Sequence, residues 1–273
     1  MMETKLLFFD IDGTLLDHRG EVSASAKQAL SKLKEKGHLR FICSGRTKCM
    51  INDKITGLDF DGFVYGAGTH IEFEDKILEY VELPIDLIQK TCEILRQYEV
   101  GYVLEGAYHV YVEKEVYYDK RPYYSLFIKS LGNIVKILEP EMEIKASKIT
   151  CVLPAMEVEK VETLYNILKQ DFTVIVHESK DNGILTNGLV ELMPKGYTKA
   201  TGIKETLAIL GRDQKDSIAI GDSNNDLDML TYAGTAIVMG NGSMNAKAIA
   251  DYVTTDINED GVYQAMKHYN LIE

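Results

Sequence analysis

The sequence predicts an α/β protein in which a doubly wound parallel sheet is interrupted by an inserted α+β domain. Three observations support this prediction. Short apolar runs alternate with helical segments through the first third of the chain, the pattern changes near Pro84, and the first pattern returns from Thr198 onward. Strands that alternate with helices of this length imply βαβ crossovers, and these in turn imply a parallel sheet.

The first third supplies the alternating elements. Apolar strands are predicted at Lys5–Phe9, Leu39–Cys43 and Phe63–Tyr65. A helix is predicted at Ser23–Lys36, because Ser23 is a suitable N-cap and the apolar residues repeat at helical spacing. A second helix is expected at Thr47–Ile55. Ligands of such sheets bind at the carboxyl ends of the strands, so the residues that follow each strand are the first candidates for a site.

A different pattern begins at Pro84 and indicates a separate sheet with helices on one face. Its predicted helices are Ile85–Tyr98, Tyr118–Ser130 and Val158–Leu168, and its predicted strands lie within Gly101–Glu113 and at Ile134–Leu138, Ile149–Leu153, Thr173–His177 and Leu189–Met193. We therefore expect an inserted domain at residues 84–188. The core would then be discontinuous and consist of residues 1–83 and 189–273.

The last third repeats the pattern of the first. A helix from Thr198 to Leu210 precedes a strand at Ser217–Ile220, and a helix at Asn225–Ala233 precedes a strand at Ala236–Met239. Two further α/β steps complete the chain. These elements are expected to extend the sheet that the first third begins.

Composition excludes several classes of partner. Hydrophobic residues make up 45% and charged residues 26% of the 273 residues, which is ordinary for a globular protein. The formal charge of −12 argues against nucleic acid or an anionic membrane as a partner. An anionic substrate would therefore have to be held by local cations.

The cysteines and the apolar runs predict a soluble cytoplasmic protein. The four cysteines (Cys43, Cys49, Cys92 and Cys151) form no C-x-x-C pair, which favours reduced thiols in a cytosol. No signal peptide is apparent. No apolar run reaches the roughly 18 residues of a membrane span.

Two carboxylates follow the first predicted strand in the motif Asp10-Ile11-Asp12-Gly13-Thr14. Alternate residues of an extended chain point to the same side, so Asp10 and Asp12 are aimed at one place at the edge of the sheet. Like charges this close raise each other's pKa unless a cation neutralises one and a reaction uses the other. Gly13 permits a sharp turn, and Thr14 adds a hydroxyl donor. The motif indicates metal-assisted chemistry on an anionic substrate.

Polar groups also follow the second strand, in the tripeptide Ser44-Gly45-Arg46. A hydroxyl, a glycine amide and the amides of a helix start together form a small anion-binding nest. An ordinary helix cap and turn would have the same composition, so the tripeptide alone leaves both interpretations open.

The loop after Ser217–Ile220 is acidic and rich in amides. In Gly221-Asp222-Ser223-Asn224-Asn225-Asp226, Asp222 could ligate a hard cation such as Mg²⁺. Asn225 could donate to a phosphate, and Asp226 could orient a metal-bound water or a lysine. Helix N-capping by Asp and Asn is the alternative.

A lysine is available near these strand ends. Lys199 lies at the start of a predicted helix, where a positive charge is unfavourable for the helix dipole, so an anionic partner is expected. Lys195 is a rival for the same role. A solvated surface lysine is the alternative for either residue.

In combination, these motifs resemble the haloacid dehalogenase (HAD) superfamily, and specifically its Cof-type phosphatases. The resemblance implies a Rossmann-like core with a large cap domain of the second class (C2B). The motifs match in order along the chain: Asp10-Ile11-Asp12-Gly13-Thr14, Ser44-Gly45-Arg46, Lys199, and Gly221-Asp222 with Asn225-Asp226. Gly240-Asn241-Gly242 and Asn258-Glu259-Asp260-Gly261-Val262 are also similar to Cof-type sequence. The segment that enters the cap, Gly66-Ala67-Gly68, lacks the asparagine expected before a glycine-alanine pair.

The resemblance implies a role for each matching residue. Asp10 would be the nucleophile and Asp12 the general acid/base. The spacing to the Gly-Asp motif favours Lys199 over Lys195. The residues implied in phosphate binding are Ile11, Ser44, Gly45, Arg46, Lys199 and Asn225. The residues implied at a Mg²⁺ site are Asp10, Asp12 through its main-chain oxygen, Asp222 and Asp226, the last of which would support either the metal shell or Lys199.

The function implied by the resemblance is a Mg²⁺-dependent phosphatase of small phosphorylated metabolites, sugar phosphates above all, that forms an aspartyl-phosphate intermediate. Two alternatives stay open: phosphoryl transfer between metabolites, as in mutases of the superfamily, and a switch in which aspartate phosphorylation signals without turnover. The predicted cap would choose the substrate. Seven of the 16 tyrosines lie between Tyr102 and Tyr124, where they could stack on a leaving group or belong to an ordinary sheet.

Overall fold

The structure is a computed structural model that describes residues 3–118, 128–181 and 184–272. The described residues divide into two compact units, and each unit contains its own sheet. The first unit consists of residues 1–46, 51–80 and 198–273. The second consists of residues 47–50 and 81–197. The predicted helix at Tyr118–Ser130 and two of the seven clustered tyrosines, Tyr123 and Tyr124, fall largely or wholly outside the described residues.

The first unit is built on a sheet that has eight strands within the described residues. Numbered in chain order, its strands are β1 (Leu6–Phe9), β2 (Leu39–Cys43), β3 (Gly62–Tyr65), β4 (His70–Phe73), β5 (Lys76–Tyr80), β13 (Ser217–Gly221), β14 (Thr235–Val238) and β15 (Tyr252–Val253). Their order across the sheet is β15-β14-β13-β1-β2-β3-β4-β5. The strands from β15 to β3 pair in parallel, as the sequence predicts. The antiparallel hairpin of β4 and β5 at one edge is not predicted.

Helices cover both faces of this sheet. They are α1 (Ala24–Glu35), α2 (Asp53–Thr56), α6 (Lys199–Ile209), α7 (Leu227–Tyr232), α8 (Met244–Ala248) and α9 (Gly261–His268). The alternation of β1 explains the two layers: Leu7 and Phe9 pack with α1 and α9, whereas Leu6 and Phe8 pack with α6 and α7. All four side chains are fully buried. Burial of each contributes about 1.5–3 kcal/mol.

Two helical predictions in this unit need correction. In place of the predicted helix Thr47–Ile55, the structure has a short 3₁₀ turn at Lys48–Met50 and then the separate helix α2. The two are separate because the backbone of Asn52 is extended. The Asn52 side chain caps α2 by accepting from the Ile55 amide (3.3 Å). The predicted helix Asn225–Ala233 begins later, at Leu227, after a 3₁₀ turn at Asn224–Asp226. By contrast, Ser23 caps α1 as predicted and accepts from the Ala26 amide at 3.1 Å.

The second unit has a sheet of seven strands within the described residues. Its strands are β6 (Gly101–Glu105), β7 (Val110–Val112), β8 (Val135–Ile137), β9 (Lys148–Leu153), β10 (Met156–Glu157), β11 (Phe172–Asp181) and β12 (Ile184–Pro194). Its described helices are α3 (Ile85–Gln97), α4 (Lys114–Tyr117) and α5 (Val158–Leu168). The buried residues of α3 and α5 pack on one face of the sheet, which gives the α+β arrangement.

The second unit extends further along the chain than the sequence predicts. The predicted boundary places residues 189–193 in the core, whereas β12 continues to Pro194 and the unit continues to Tyr197. The physical reason is pairing: β12 is antiparallel to both β9 and β11, so its whole length belongs to the second sheet. At the other boundary the unit begins at Val81, three residues before the predicted start at residue 84.

Among the helices of the described residues, none is both long enough and apolar enough to cross a membrane.

Candidate active site

Three parallel strands of the first unit end at the same edge of the sheet. In the parallel register, Phe9 at the end of β1 pairs with Ile42 of β2 on one side and with Ile220 of β13 on the other. Asp10, Ser44 and Asp222 directly follow these strands. The topology therefore gathers three of the sequence-predicted motifs at one place, as expected for the carboxyl ends of a parallel sheet.

Asp10 and Lys199 form a buried ion pair at this edge. The Lys199 Nζ donates to Asp10 Oδ1 at 2.6 Å and to Asp226 Oδ1 at 2.6 Å. Asp10, Lys199 and Asp226 are all at least nine-tenths buried. Lys199, not Lys195, is thus the lysine at the site, because Lys195 Nζ donates to the Gln170 carbonyl in the second unit.

The cluster carries more negative than positive charge, and this excess shifts the pKa values of its residues. Burial, followed by the nearby Asp226 carboxylate, raises the pKa of Asp10 to about 7. Burial by itself would lower the pKa of Lys199, but the carboxylates of Asp10 and Asp226 outweigh burial and hold that pKa well above its usual value. Lys199 is therefore charged, and its single positive charge interacts with the carboxylates of both Asp10 and Asp226.

Asp222 adds a third carboxylate. Ligand atoms of Asp10, Asp222 and Asp226 all lie within 4.8 Å of one another. Burial, followed by Asp226, raises the pKa of Asp222 to about 6. The Thr14 hydroxyl donates to Asp222 Oδ1 at 3.3 Å, so the predicted donor beside the carboxylates is present. A cluster of three carboxylates with one lysine favours an additional cation.

Gly13 is required where the chain passes Asp222. Its φ is +84°, and a Cβ built at this position would lie 2.4 Å from Asp222 Oδ2. A side chain is therefore excluded by both backbone conformation and space. The glycine lets the first motif approach the Asp222 carboxylate directly.

Asp226 has both of its oxygens engaged. Oδ1 accepts from Lys199, and Oδ2 accepts from the backbone amides of Asp222 and Ser223, each at 3.0 Å. This carboxylate therefore holds the lysine and shapes the loop that carries Asp222. Its neighbour Asp228 accepts from the Ala200 amide at 3.1 Å and so ties α7 to the start of α6, a contact that the sequence analysis missed.

Asp12 is not part of the buried cluster. Its side chain is 58% exposed and forms a two-pronged ion pair with Arg46, whose Nε lies 2.8 Å from Oδ2 and whose Nη2 lies 2.9 Å from Oδ1. Arg46 is predicted from the sequence to bind phosphate, whereas its pairing with Asp12 is not predicted. Two parallel hydrogen bonds of this kind fix the orientation of a carboxylate.

The remaining phosphate-binding predictions lie around the same edge. The Ser44 side chain is buried, and its Oγ accepts from the Arg46 amide at 3.2 Å. Asn225 accepts from the Ser223 hydroxyl (2.6 Å) through Oδ1, which leaves its amide hydrogens for another acceptor. The side chain of Ile11 lies in the hydrophobic core, so only its backbone could contact a ligand.

Asn241 supports the first motif, although the sequence analysis assigned it no role. Its Nδ2 donates to the Gly13 carbonyl at 2.8 Å, and its Oδ1 accepts from the Ile257 amide at 3.0 Å. Asn241 follows β14, which is another parallel strand of the sheet. Polar residues that follow parallel strands are candidate site residues, and Asn241 could have been found from the sequence by this criterion.

A left-handed turn connects β3 with β4 beside the site. Gly66, Ala67 and Gly68 all have positive φ. The Ala67 amide donates to the Ser44 carbonyl at 2.9 Å, and Gly68 lies so close to Gly202 of α6 that a Cβ on Gly68 would be 3.0 Å from the Gly202 Cα. The turn that lacks the expected asparagine therefore packs between the elements that carry Ser44 and Lys199.

The chain is similar in sequence to known proteins. A family model described as haloacid dehalogenase-like hydrolase matches residues 7–266. The Bacillus subtilis protein named "Putative phosphatase YkrA" is 29% identical over 276 residues, which cover 100% of both chains. The Bacillus subtilis 5-amino-6-(5-phospho-D-ribitylamino)uracil phosphatase YitU is 27% identical, with 98% of this chain and 99% of that protein covered.

The architecture is also found among solved structures. The structure of the HAD subclass IIB sugar phosphatase BT4131 superposes with a TM-score of 0.79 and is 25% identical in sequence. The alignment covers 98% of this chain and 100% of that chain. The predicted α/β fold class is confirmed by this likeness.

Proposed function

Since the chain belongs to the haloacid dehalogenase-like hydrolase family, we propose that it hydrolyses phosphate monoesters of small metabolites, in particular sugar phosphates, with Asp10 as the nucleophile and Mg²⁺ as the cofactor. The observation that carries this proposal is the buried Asp10 carboxylate, which is paired with Lys199 at a strand end and shares the site with two more carboxylates. Family membership confirms the resemblance stated from the motifs. The predicted phosphatase activity is confirmed at the level of the family, since the relatives are named phosphatases.

Asp10 is proposed as the group that attacks phosphorus. In our proposal an Asp10 oxygen forms a bond to phosphorus while the bond to the leaving oxygen breaks, which gives an aspartyl-phosphate and an alcohol. Lys199 Nζ uses two of its three hydrogens on Asp10 and Asp226. The third can donate to a phosphoryl oxygen, so one ammonium group holds the nucleophile and its target together.

Asp12 is proposed as the general acid and base. Its carboxylate is exposed next to the buried cluster, where it can protonate the leaving oxygen and then take a proton from the water that attacks the aspartyl-phosphate. Arg46 holds that carboxylate by two hydrogen bonds. We propose that Arg46 positions Asp12 in addition to any contact with the phosphoryl group.

The donor set fits a divalent metal. Hard carboxylate oxygens converge, their charge exceeds that of Lys199, and burial with mutual repulsion raises the pKa of Asp10 and Asp222. We propose that Asp10, Asp222 and the main-chain oxygen of Asp12 hold Mg²⁺. Asp226 is proposed to act through Lys199 and the Asp222 loop, because both of its oxygens are already engaged. A bound Mg²⁺ would neutralise charge on the phosphoryl oxygens.

Neutral donors complete the proposed phosphate site. We propose that four groups donate hydrogen bonds to the phosphoryl oxygens: the Ser44 hydroxyl, the backbone amides of Gly45 and Ile11, and the side-chain amide of Asn225. This assignment is supported by the parallel pairing of β1, β2 and β13, since these residues lie in the loops that follow those strands. Such donors are effective because they are in place before charge develops.

The protein is proposed to be cytosolic.

The second unit is proposed to act as a cap that selects the substrate. Its α+β architecture and its insertion into the first unit are consistent with a cap. Sugar phosphates are favoured as substrates by the solved relative that is named a sugar phosphatase. YitU, which is named for a phosphorylated ribitylamino compound, favours phosphorylated polyols equally well.

The test is release of inorganic phosphate from p-nitrophenyl phosphate and from glucose 6-phosphate, with Mg²⁺ and with EDTA. We expect Mg²⁺-dependent release by the wild type and at least a ~10³-fold loss in Asp10→Asn. Glu105→Gln, which neutralises a buried carboxylate of the second unit, serves as the matched control. Absence of turnover combined with a stable phosphorylated Asp10 would support a switch instead, and equal rates in wild type and Asp10→Asn would overturn the proposal.

A further inference from the structure

The loop at residues 240–243 follows β14 and contacts the backbone of two segments of the candidate active site. The Asn241 side chain donates to the Gly13 carbonyl at 2.8 Å. The Ser243 amide donates to the Asp222 carbonyl at 2.7 Å. Gly13 lies in the loop after β1, and Asp222 lies in the loop after β13. The 240–243 loop therefore holds the backbone of two segments that are far apart in the chain.

The first of these segments turns at Gly13, a residue type that restricts its own backbone dihedral angles less than any other. The Gly13 amide donates to the Leu16 carbonyl at 2.9 Å. Because a peptide unit is planar and trans, its C=O points away from its N–H, and this bond fixes the direction of the Asp12 carbonyl. That direction is kept only while the Gly13 backbone stays in its left-handed conformation, with a φ of +84°.

The peptide unit on the other side of Gly13 is held by two hydrogen bonds. The Thr14 amide donates to the Ile11 carbonyl at 3.4 Å, which is long for such a bond. The bond from Asn241 to the Gly13 carbonyl is shorter, at 2.8 Å. With the peptide units before and after it both held, Gly13 is restrained from rotating. Asn241 therefore helps to keep the Asp12 carbonyl in place.

Asn241 is itself anchored within the first unit. Its Oδ1 accepts from the Ile257 amide at 3.0 Å. Lys247 Nζ donates to the carbonyl of the neighbouring Gly240 at 2.6 Å, and the Gly240 amide donates to the Thr255 carbonyl at 2.9 Å. These bonds connect the 240–243 loop with α8 and with the segment after β15. The loop is thus a firm support for Gly13.

The second segment comes close to the loop at Gly242. A Cβ built on Gly242 would lie 3.0 Å from the Asp222 carbonyl oxygen and 2.7 Å from Val238 Cγ1. A side chain at this position would push the two backbones apart. Glycine therefore allows the Ser243 amide to reach the Asp222 carbonyl.

These contacts bear on metal binding, an argument that rests on the proposed function. The main-chain oxygen of Asp12 and the carboxylate of Asp222 are both proposed ligands of Mg²⁺, which demands near-ideal octahedral geometry. Groups that orient the ligands of a metal without touching it typically change the metal affinity about 10–100-fold when they are lost. The 240–243 loop holds the backbone beside both proposed ligands.

We infer that the 240–243 loop sets the spacing between the Asp12 and Asp222 ligands and that Asn241 is a positioning residue for the proposed Mg²⁺ site. Asn241 acts through Gly13 and is not itself a ligand, because its side-chain oxygen is engaged by the Ile257 amide. Its loss should therefore weaken Mg²⁺ binding more than it slows the chemical step.

The first experiment measures the Mg²⁺ dissociation constant from the dependence of the urea unfolding free energy on Mg²⁺ concentration. Asn241→Ala should raise this constant about tenfold, the lower end of the range, since the side chain is exposed to water. Asn258→Ala is the matched control. It removes another exposed asparagine, whose Nδ2 donates to Asp256 at 2.9 Å, and should change the constant less than about twofold.

The same titrations separate positioning from a merely structural role. If Asn241 only stabilises the fold, Asn241→Ala will lower the unfolding free energy in EDTA and leave the Mg²⁺ dissociation constant within about twofold of the wild-type value. That result would overturn the inference.

A second variant, Lys247→Met, loosens the same loop without changing Asn241, so it also provides a test if Asn241→Ala does not fold. It should raise the Mg²⁺ dissociation constant about threefold, the effect of one lost hydrogen bond. Loss of a positive charge by itself would strengthen Mg²⁺ binding, so the direction of the change is informative. Lys204→Met removes the same charge from an exposed position of α6 and is the control. A dissociation constant of Lys247→Met at or below that of Lys204→Met would overturn the inference.

The third experiment follows hydrolysis of p-nitrophenyl phosphate as Mg²⁺ is varied. In Asn241→Ala the half-saturating Mg²⁺ concentration should rise about tenfold, while kcat at saturating Mg²⁺ should stay within about threefold of the wild-type value. A lower kcat with an unchanged half-saturating concentration would overturn the inference and leave the proposed function intact. Absence of Mg²⁺-dependent hydrolysis by the wild type would overturn the proposed function, whereas the Mg²⁺ dissociation constants would still test the inference.

Discussion

Two buried lysines in this protein each lie between two carboxylates, one in each unit. Lys199 in the first unit contacts Asp10 and Asp226, both at 2.6 Å. Lys148 in the second unit lies 2.8 Å from Glu191 and 3.7 Å from Glu105. Both lysines have a raised pKa: burial lowers it, and the carboxylates outweigh burial.

The difference lies in what surrounds each pair. In the second unit Glu105 accepts from the hydroxyls of Thr150 and Thr47, the latter at 3.2 Å, and Glu191 is partly exposed. In the first unit Asp222 brings a third carboxylate to within 4.8 Å, and the pKa values of Asp10 and Asp222 rise to about 7 and about 6. A buried lysine between carboxylates is therefore not evidence of function by itself. The surplus of negative charge at the strand ends is what distinguishes the candidate site.

The largest expected effect is a difference in kcat between variants of the two lysines. Lys199→Met should lower kcat by about 10²–10³-fold, because it removes a charge that contacts the nucleophile and the phosphoryl group. Lys148→Met should leave kcat of the folded protein within about threefold. Both variants should lose about 3–5 kcal/mol of unfolding free energy, since each leaves buried carboxylates without their partner. Phosphate release and urea unfolding measure the two properties; a loss of kcat in Lys148→Met as large as in Lys199→Met would remove the distinction.

The second prediction concerns metal binding. Mg²⁺ at about 100 times its dissociation constant should stabilise the wild type by roughly 2.7 kcal/mol, because it binds the folded state at the surplus carboxylates. Asp222→Asn should abolish most of this gain. Glu191→Gln, which neutralises a carboxylate beside the other lysine, should retain it. Thermal unfolding with Mg²⁺ and with EDTA gives the answer, and equal stabilisation of wild type and Asp222→Asn would show that the metal binds elsewhere.

The smallest expected effect is a pH dependence of the metal-free protein. The folded-state pKa values of Asp10 (about 7) and Asp222 (about 6) lie above the ordinary value of 3.8. Between about pH 4 and pH 7 the folded state therefore binds more protons than the unfolded state. The stability that these two groups contribute is fully present below about pH 4 and is lost as the pH rises through 7. We therefore expect the unfolding free energy of the metal-free protein to fall across this pH window.

Asp222→Asn isolates part of this effect. Because Asp222 is partly exposed, the variant should reduce the decline between pH 5 and pH 7.5 by only about 1 kcal/mol. Urea unfolding in EDTA at several pH values measures it. A wild-type stability that rises with pH across this window, with no change in Asp222→Asn, would mean that the carboxylates are already neutralised within the protein.

Much of the fold and the site could be predicted from local sequence. Apolar strands followed by polar residues predicted where Asp10, Ser44 and Asp222 lie, because a parallel sheet places equivalent strand ends together. The helix start at Thr198 likewise located Lys199. These predictions depend on periodicity and on residues adjacent in the chain, both of which are visible in one sequence.

The missed features depend on pairing between distant segments. Whether β12 belongs to one sheet or the other is decided by its partners β9 and β11, not by its own apolar residues. The predicted boundary at residue 189 therefore falls within β12. The Asp12–Arg46 ion pair also requires the folded geometry, since α1 and β2 separate residues 12 and 46. The β4–β5 hairpin is a local feature that was not predicted.

The central claim, a covalent intermediate on Asp10, can be tested most directly with Asp12→Asn and p-nitrophenyl phosphate. This leaving group needs little protonation, so the first step should proceed, whereas loss of the general base should slow attack of water on the aspartyl-phosphate. We predict a burst of about one nitrophenolate per active site in Mg²⁺, followed by slow turnover, with phosphate on the peptide that contains Asp10. Linear release from the first turnover, with no phosphate on that peptide, would contradict the mechanism.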